Sequence, residues 1–256
     1  MGYGLWVRRK KHMLSIYKTI FSKKSQLNSN TYLYHFNLFE PKEIIFKPGQ
    51  YIILKVPLEK GYISRLYSIS SSNTEKNSFE LIVETVLGGL GSGYLSSLKE
   101  GVEVNFQGPA GMFELKKNER DKIFMVTGTG IAPIRSMINS KFEIRNSKFS
   151  LFWGLKNYKD VYLLNELKGY KLKVASFDFK ICLSREQNLD MIPEEDKKYF
   201  FLGHIDSCFE KLFTNHYSLI TVNEFYLCGG RNIVESLKQF LLSKNVPKEN
   251  IIFEKF

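Results

Sequence analysis

Near Leu115 the apolar pattern changes period, and that change limits the folds open to this chain. Before it, apolar and polar residues alternate in short runs. TYLYHFNLF (Thr31–Phe39), GQYIILKVP (Gly49–Pro57), RLYSISSS from Arg65, SFELIVETV (Ser78–Val86) and VEVNFQGP (Val102–Pro109) each read as a strand. Turn-forming stretches such as SSNTEKN separate them, which predicts a small antiparallel β-barrel. A short helix is expected within it, over Ser92–Glu100. After Leu115, apolar strands alternate with helical stretches. KIFMVTG (Lys122–Gly128) precedes APIRSMINSKF, FSLFWGL (Phe149–Leu155) precedes VYLLNELKG, and EFYLCGG (Glu224–Gly230) precedes NIVESLKQFLLSKNV. LKVASFDF and FKICLS supply further β-type sequence. Such interleaving predicts an α/β domain, a parallel sheet covered on both faces. The charged KKNERDK (Lys116–Lys122) is the expected junction, dividing the chain into residues 13–117 and 118–256.

The chain has 256 residues, 43% of them hydrophobic, which is enough for two cores. Its net charge of +11 points to acidic partners and says nothing of fold. The lysines are scattered between apolar runs, and no basic patch is interleaved with aromatics, so no nucleic-acid partner is expected. VRRKKH (Val7–His12) reads as a mobile basic terminus, and HM at His12–Met13 leaves a native start at Met13 open. No apolar run reaches the ~18 residues of a membrane span. The three cysteines, Cys182, Cys208 and Cys228, lack C-x-x-C spacing. That excludes a four-cysteine iron–sulfur cluster within this chain and suits a reducing cytoplasm.

Three stretches have the chemistry of phosphate binding. VLGGLGSGYLSSL holds four glycines, three of them, Gly88, Gly89 and Gly91, before a helix that Ser92 is expected to begin. Backbone N–H groups at such a start attract anions, although a flexible hairpin has the same composition. TGTGIAP (Thr127–Pro133) joins a buried strand to a helix. It lacks the third glycine of the G-x-G-x-x-G fingerprint, so its position matters more than its spelling. In parallel sheets ligands bind beyond the carboxyl ends of the strands, where both TGTG and LCGG stand. In LSREQ (Leu183–Gln187), Arg185 is suited to a bidentate grip on phosphate, and Lys197 and Tyr199 follow about a dozen residues later.

RLYS, GGLGSGYL, GPAGMF, TGTGIAPIRSM, LFWG, LSREQ, YLCGG and FEKF occur in one order from about Tyr32 to Phe256. In these motifs the chain resembles the ferredoxin–NADP reductase superfamily. The resemblance implies that the barrel binds FAD and the α/β domain binds a nicotinamide nucleotide. Arg65 would pair with the FAD pyrophosphate, Tyr67 would lie against the isoalloxazine ring, and Ser68 would place its hydroxyl near flavin N5. Leu66, between them, and Gly89 are counted with the cofactor-binding residues, and Gly91 and Ser92 would hold the pyrophosphate. Gly128, Thr129 and Gly130 would line the nucleotide path, with Cys228 beside the nicotinamide. Glu254 matches the family's acid two places before the terminal aromatic, and Phe256 matches that aromatic. Ser184, Arg185, Lys197 and Tyr199 match residues that hold the 2′-phosphate, which implies NADPH rather than NADH.

The implied chemistry is hydride transfer between NADPH and FAD, with single electrons exchanged with a small acidic carrier, ferredoxin or flavodoxin. Ser68, Cys228, Glu254 and Phe256 are the expected catalytic residues, Ser68 and Glu254 as a proton relay. Phe256 stands where plant-type members have tyrosine, and FEKF also occurs in reductase components of oxygenase systems, so that acceptor is the alternative. A non-catalytic flavoprotein subunit is a third reading. Because Arg65 and Ser68 are an odd number of positions apart, a strand twist or bulge is expected between them.

Overall fold

The computed structural model describes residues 14–140, 147–213 and 221–256. The basic segment at Val7–His12 and the possible start at Met13 lie outside these residues.

Strands β1 (Ser15–Gln26), β2 (Thr31–Glu40), β3 (Tyr51–Pro57), β4 (Tyr62–Ser68), β5 (Ser78–Glu84) and β6 (Glu103–Ala110) form one antiparallel sheet. Their order is β4-β3-β6-β1-β2-β5. The sheet curls until its two edge strands nearly meet. Past the end of β4, Ile69 bridges Leu81 of β5, and the Ser70 N–H donates to the Glu80 carbonyl at 2.8 Å. Inside, Phe36 meets Phe79 at 5.5 Å and Phe106 at 4.9 Å between ring centroids, all three fully buried. Edge-to-face and offset pairs of this kind add about 0.5–1.5 kcal/mol each beyond their burial. Helix α1 (Leu90–Ser97) adds Leu95 to this core.

β1 was not among the expected strands, although Tyr17, Thr19 and Phe21 alternate inward along it. Ile16 and Ile20 put apolar residues on the outward face as well, and this masks the period. Helix α1 begins at Leu90, two residues before the expected start, with Gly89 rather than Ser92 at its cap.

The second sheet holds β7 (Lys122–Thr127), β8 (Phe149–Leu155), β9 (Phe177–Leu183), β10 (Phe200–Leu202), β11 (Glu224–Gly229) and β12 (Ile251–Lys255). Its order is β10-β9-β8-β7-β11-β12, and every ladder is parallel. Around it lie α2 (Ile131–Asn139), α3 (Leu164–Lys173), α4 (Glu194–Lys197), α5 (Ile205–Phe213) and α6 (Arg231–Ser243). One face packs Phe124, Trp153, Phe179 and Ile134, and the other packs Met125, Phe152, Phe209 and Leu237. Residues Leu172–Ser176, read above as β-type, instead end α3 and turn into β9. From β7 the chain builds outward to β10 and then returns to β11 on β7's other side. The crevice above β7 and β11 is therefore the topological switch point of the sheet.

The two domains are joined by a half-buried ionic clamp that no motif in the sequence marks. Arg135, on α2, reaches Glu80 of β5 at 2.6 Å, Glu166 of α3 at 2.8 Å and the Ser70 carbonyl at 3.2 Å. The neighbouring Ser136 hydroxyl donates to the Ser71 carbonyl at 2.6 Å. Removing one partner of a buried ion pair costs about 3–5 kcal/mol, and Glu80 and Glu166 keep enough exposure to place the loss at the lower end. Arg135→Met is therefore expected to lower the free energy of unfolding by about 3 kcal/mol, read from urea denaturation. Adding Glu80→Gln and Glu166→Gln should recover most of that loss. No recovery would mean that Arg135 acts through packing alone.

Candidate active site

Four features meet where the barrel's β4 edge faces the carboxyl ends of β7, β11 and β12. The first is β4 itself. It pairs with β3 in unbroken register from Pro57–Tyr62 to Tyr51–Ser68. No bulge lies between Arg65 and Ser68, and the irregularity falls instead where β3 pairs with β6, between Tyr51 and Ile53. The odd spacing thus divides the residues between the two faces of the strand. Arg65 and Tyr67 share one face, and Leu66 and Ser68 share the other.

The second feature is the start of α1, which presses on the Arg65–Tyr67 face. A Cβ placed on Gly91 would come within 2.5 Å of Tyr67 Oη and 2.8 Å of Arg65 Cγ. Only glycine lets the helix approach this closely. Burial pushes the Tyr67 phenol up to about 12, with Arg65 pulling it back. Ser92 is buried, and its hydroxyl accepts the Val86 N–H at 3.1 Å. That hydroxyl braces its own loop.

The third feature is the pair of glycine turns at the switch point. A Cβ on Gly130 would lie 2.3 Å from the Cys228 carbonyl oxygen, and one on Gly229 would lie 2.2 Å from Thr127 Oγ1. The two turns fit together only as glycine. Gly128 adopts φ +52°, in the left-handed region, and Thr129 follows it in a single 3₁₀ turn.

The fourth is the last strand. Glu254 lies beside Cys228 in the β11–β12 ladder, and Ser68 donates to Glu254 Oε1 at 3.0 Å across the domain boundary. Burial raises the Glu254 carboxyl above its ordinary range, and the Ser68 hydrogen bond pulls it partly back. Burial also drives the Cys228 thiol far up, with Glu254 adding to the effect, so Cys228 is a neutral packing group. Phe256 is exposed, but its backbone is tied to the Cys228 turn. Its N–H donates to the Gly229 carbonyl at 3.3 Å, and its carbonyl accepts the Arg231 N–H at 3.2 Å.

Ser68, Cys228 and Glu254 are thus gathered at one place, as are Arg65, Tyr67 and Gly91 at a second. Ser184 and Arg185 leave the carboxyl end of β9, where the Arg185 N–H donates to the Lys156 carbonyl at 2.9 Å and the side chain is exposed. Lys197 and Tyr199 are not gathered with them. Phe200 pairs with Ile181, so Tyr199 precedes the level of Ser184 by about four residues, or ~13 Å of strand. Lys197 pairs with Glu194 at 2.6 Å, and the Tyr199 ring stacks on Phe179 at 4.6 Å. The short α4 ends immediately before β10 and brings both residues in at the amino end of the strand.

Residues 18–115 match the oxidoreductase FAD-binding domain family, and residues 124–239 match the oxidoreductase NAD-binding domain family. The chain belongs to the ferredoxin–NADP reductase superfamily. It is 26% identical over 242 residues to the toluate 1,2-dioxygenase electron transfer component of Pseudomonas putida, covering 94% of this chain and 67% of the relative. It is 32% identical over 154 residues to ferredoxin–NADP reductase B of Sorangium cellulosum, covering 59% of this chain and 62% of that protein. The chain spans about three fifths to two thirds of the length of these and similar curated relatives. Its fold matches the Amycolatopsis cytochrome P450 reductase GcoB with a TM-score of 0.82 at 22% identity, over 95% of this chain and 70% of that one.

The residues present fit FAD. Arg65 supplies a cation, α1 supplies N-terminal amides, and the missing Cβ of Gly91 lets α1 press against both Arg65 and Tyr67. Gly91→Ala is therefore expected to yield folded protein, by far-ultraviolet circular dichroism, that retains less than about a tenth of the flavin of the parent. Full flavin content in the variant would show that the close approach of α1 is not needed for binding.

Proposed function

We propose that this protein carries reducing equivalents from NADPH through FAD to a small acidic one-electron carrier, ferredoxin or flavodoxin. The observation that carries the proposal is the Ser68–Glu254 hydrogen bond, which joins the barrel to the switch point of the parallel sheet beside Cys228. FAD, when bound, supplies the hydride acceptor and releases electrons singly. Arg65 and the α1 amides hold its phosphates, and Tyr67 gives a flat surface to its ring. The glycine turns of Gly128–Gly130 and Gly229 receive the nicotinamide nucleotide, and Arg185 holds a 2′-phosphate. Phe256 covers the place where nicotinamide stacks.

Ser68 and Glu254 hold and move a proton. A half-buried carboxyl whose pKa is raised lends a proton more readily than an exposed one, and the serine hydroxyl extends its reach. Cys228 shapes the crevice as a neutral side chain. The net charge of +11 favours an acidic carrier, and three unpaired, buried thiols suit the cytoplasm. A second reading, a reductase feeding an oxygenase, is favoured by the relatives that match most of the chain.

Purified protein is expected to be yellow and to reduce ferricyanide with NADPH. Colourless protein that does not take up FAD would end this reading. Arg185→Ala is expected to raise the KM for NADPH at least about tenfold and to leave NADH nearly unchanged, since it removes a charge-assisted hydrogen bond. Equal effects on both coenzymes would remove Arg185 from the 2′-phosphate site.

Glu254→Gln separates function from stability. A carboxyl whose pKa is raised in the folded state weakens folding as pH climbs from its unfolded value to the raised one, and fully above it. The variant is therefore expected to melt no lower than the parent at about pH 7.5, with the two converging near pH 4, while flavin reduction by NADPH slows about a hundredfold. An unchanged rate would show that Glu254 moves no proton.

A further inference from the structure

Beneath the Gly128–Gly130 turn lie two side chains for which the proposed function gives no role. Trp153, at the end of β8, donates its Nε1–H to the Gly128 carbonyl at 3.0 Å. Tyr162, just before α3, donates its hydroxyl to the same oxygen at 3.2 Å. Both rings are buried, and they meet edge to face at 4.7 Å. The Ile131 N–H, at the end of the turn, donates to that oxygen as well. A buried Trp and a buried Tyr each need one acceptor, but nothing in core packing requires that two distant elements choose the same backbone atom.

The consequence lies on the other side of the peptide. In a planar trans peptide the C=O and the next N–H point in opposite directions. With the Gly128 carbonyl drawn down to Trp153 and Tyr162, the Thr129 N–H points away from both rings. The turn itself is half-exposed at Gly128 and Thr129, and a Cβ built on Gly128 would meet nothing within 4 Å. Glycine is required there by its φ of +52°, not by crowding. Turning the 128–129 peptide over changes the ψ of Gly128, which glycine allows, and the φ of Thr129, which resists it, so the two ring donors add to a preference the turn already has. Turned over, it would present a carbonyl oxygen to the crevice and repel a phosphate.

We infer that Trp153 and Tyr162 are positioning residues for the nicotinamide nucleotide, locking the Gly128 carbonyl inward so that the Thr129 N–H faces the pyrophosphate. The inference rests on the reading of this turn as the nucleotide site, and it assigns two further residues to it. Neither side chain touches the ligand. Their effect passes through the orientation of one peptide, so it should be seen in affinity more than in turnover.

The test uses FAD-loaded protein carrying Tyr162→Phe, Trp153→Phe or both. Calorimetric titration with NADP⁺ and with NAD⁺ gives affinity without turnover, and ferricyanide reduction gives KM and kcat. Loss of both donors is expected to weaken the binding of either nucleotide, and to raise KM, by about fivefold or more, within the range for two neutral hydrogen bonds. Flavin content and kcat should stay near those of the parent. Tyr162→Phe keeps the ring and its packing, so it decides the matter alone if the double variant does not fold, with about a twofold weakening expected. Parent-like affinity in the folded variants, with or without a lower Tm, would make the two residues ordinary core and overturn the inference. A parent protein that binds neither nucleotide would overturn the reading of the turn itself, a result distinct from the first.

Discussion

Everything at the site depends on how the barrel is held against the parallel sheet, and Arg135 is the centre of that contact. It lies on the helix that begins at the Gly128–Gly130 turn, and it grips Glu80 on the barrel strand that receives the Ile69 bridge. Barrel closure and domain docking thus share one strand. If the clamp shifted, β4 would shift with it, and Ser68 would leave Glu254. The 3.0 Å bond between those two residues, 186 positions apart in sequence, is the product of this docking. It is too weak to be the cause, since a single hydrogen bond contributes only about 0.5–1.5 kcal/mol, or up to ~3 with a charged partner.

Much of this was readable in the sequence because its signals are local. The change of period near Leu115 separates the antiparallel from the parallel sheet, and β7, β8 and β11 lie where their apolar runs predict. Gly91, Gly130 and Cys228 could be placed because strand-end and helix-start positions are marked by glycine. What failed was set by tertiary contacts. The outward Ile16 and Ile20 of β1 hide its inward alternation of Tyr17, Thr19 and Phe21. Lys197 and Tyr199 are expected at the phosphate because they match the family's Lys-x-Tyr pair. Their actual place depends on the register of β10 against β9, which no spacing in the sequence reports. Arg135 carried one signal, a charge on a helix whose other residues are mostly apolar, and its two glutamates lie far away in the chain.

Strands β7 and β11 have opposite characters at their two ends. At the amino ends, Lys122 and Glu224 are fully buried and 3.0 Å apart. Asn118 contacts both, and Tyr226 donates to Glu224 at 3.1 Å. Burial pushes the Glu224 carboxyl up, but the hydrogen bonds from Asn118 and Lys122 outweigh it and hold the group low. Burial lowers the Lys122 ammonium despite the same partner. Such a pair contributes little net stability, and its geometry tolerates no slippage.

At the carboxyl ends the same two strands finish in glycine turns that interlock within van der Waals contact and leave backbone amides for a ligand. A turn stripped of side chains cannot hold its own register. Sequence order then explains why the rigid polar network lies at the far end of the strands. Fixing β7 against β11 at Lys122 and Glu224 also fixes Gly130 against Cys228 about two turns of pleat away, through a ladder that pairs Lys122 with Glu224 and Val126 with Cys228. The site can remain bare, and therefore accessible, because the strands that carry it are aligned elsewhere.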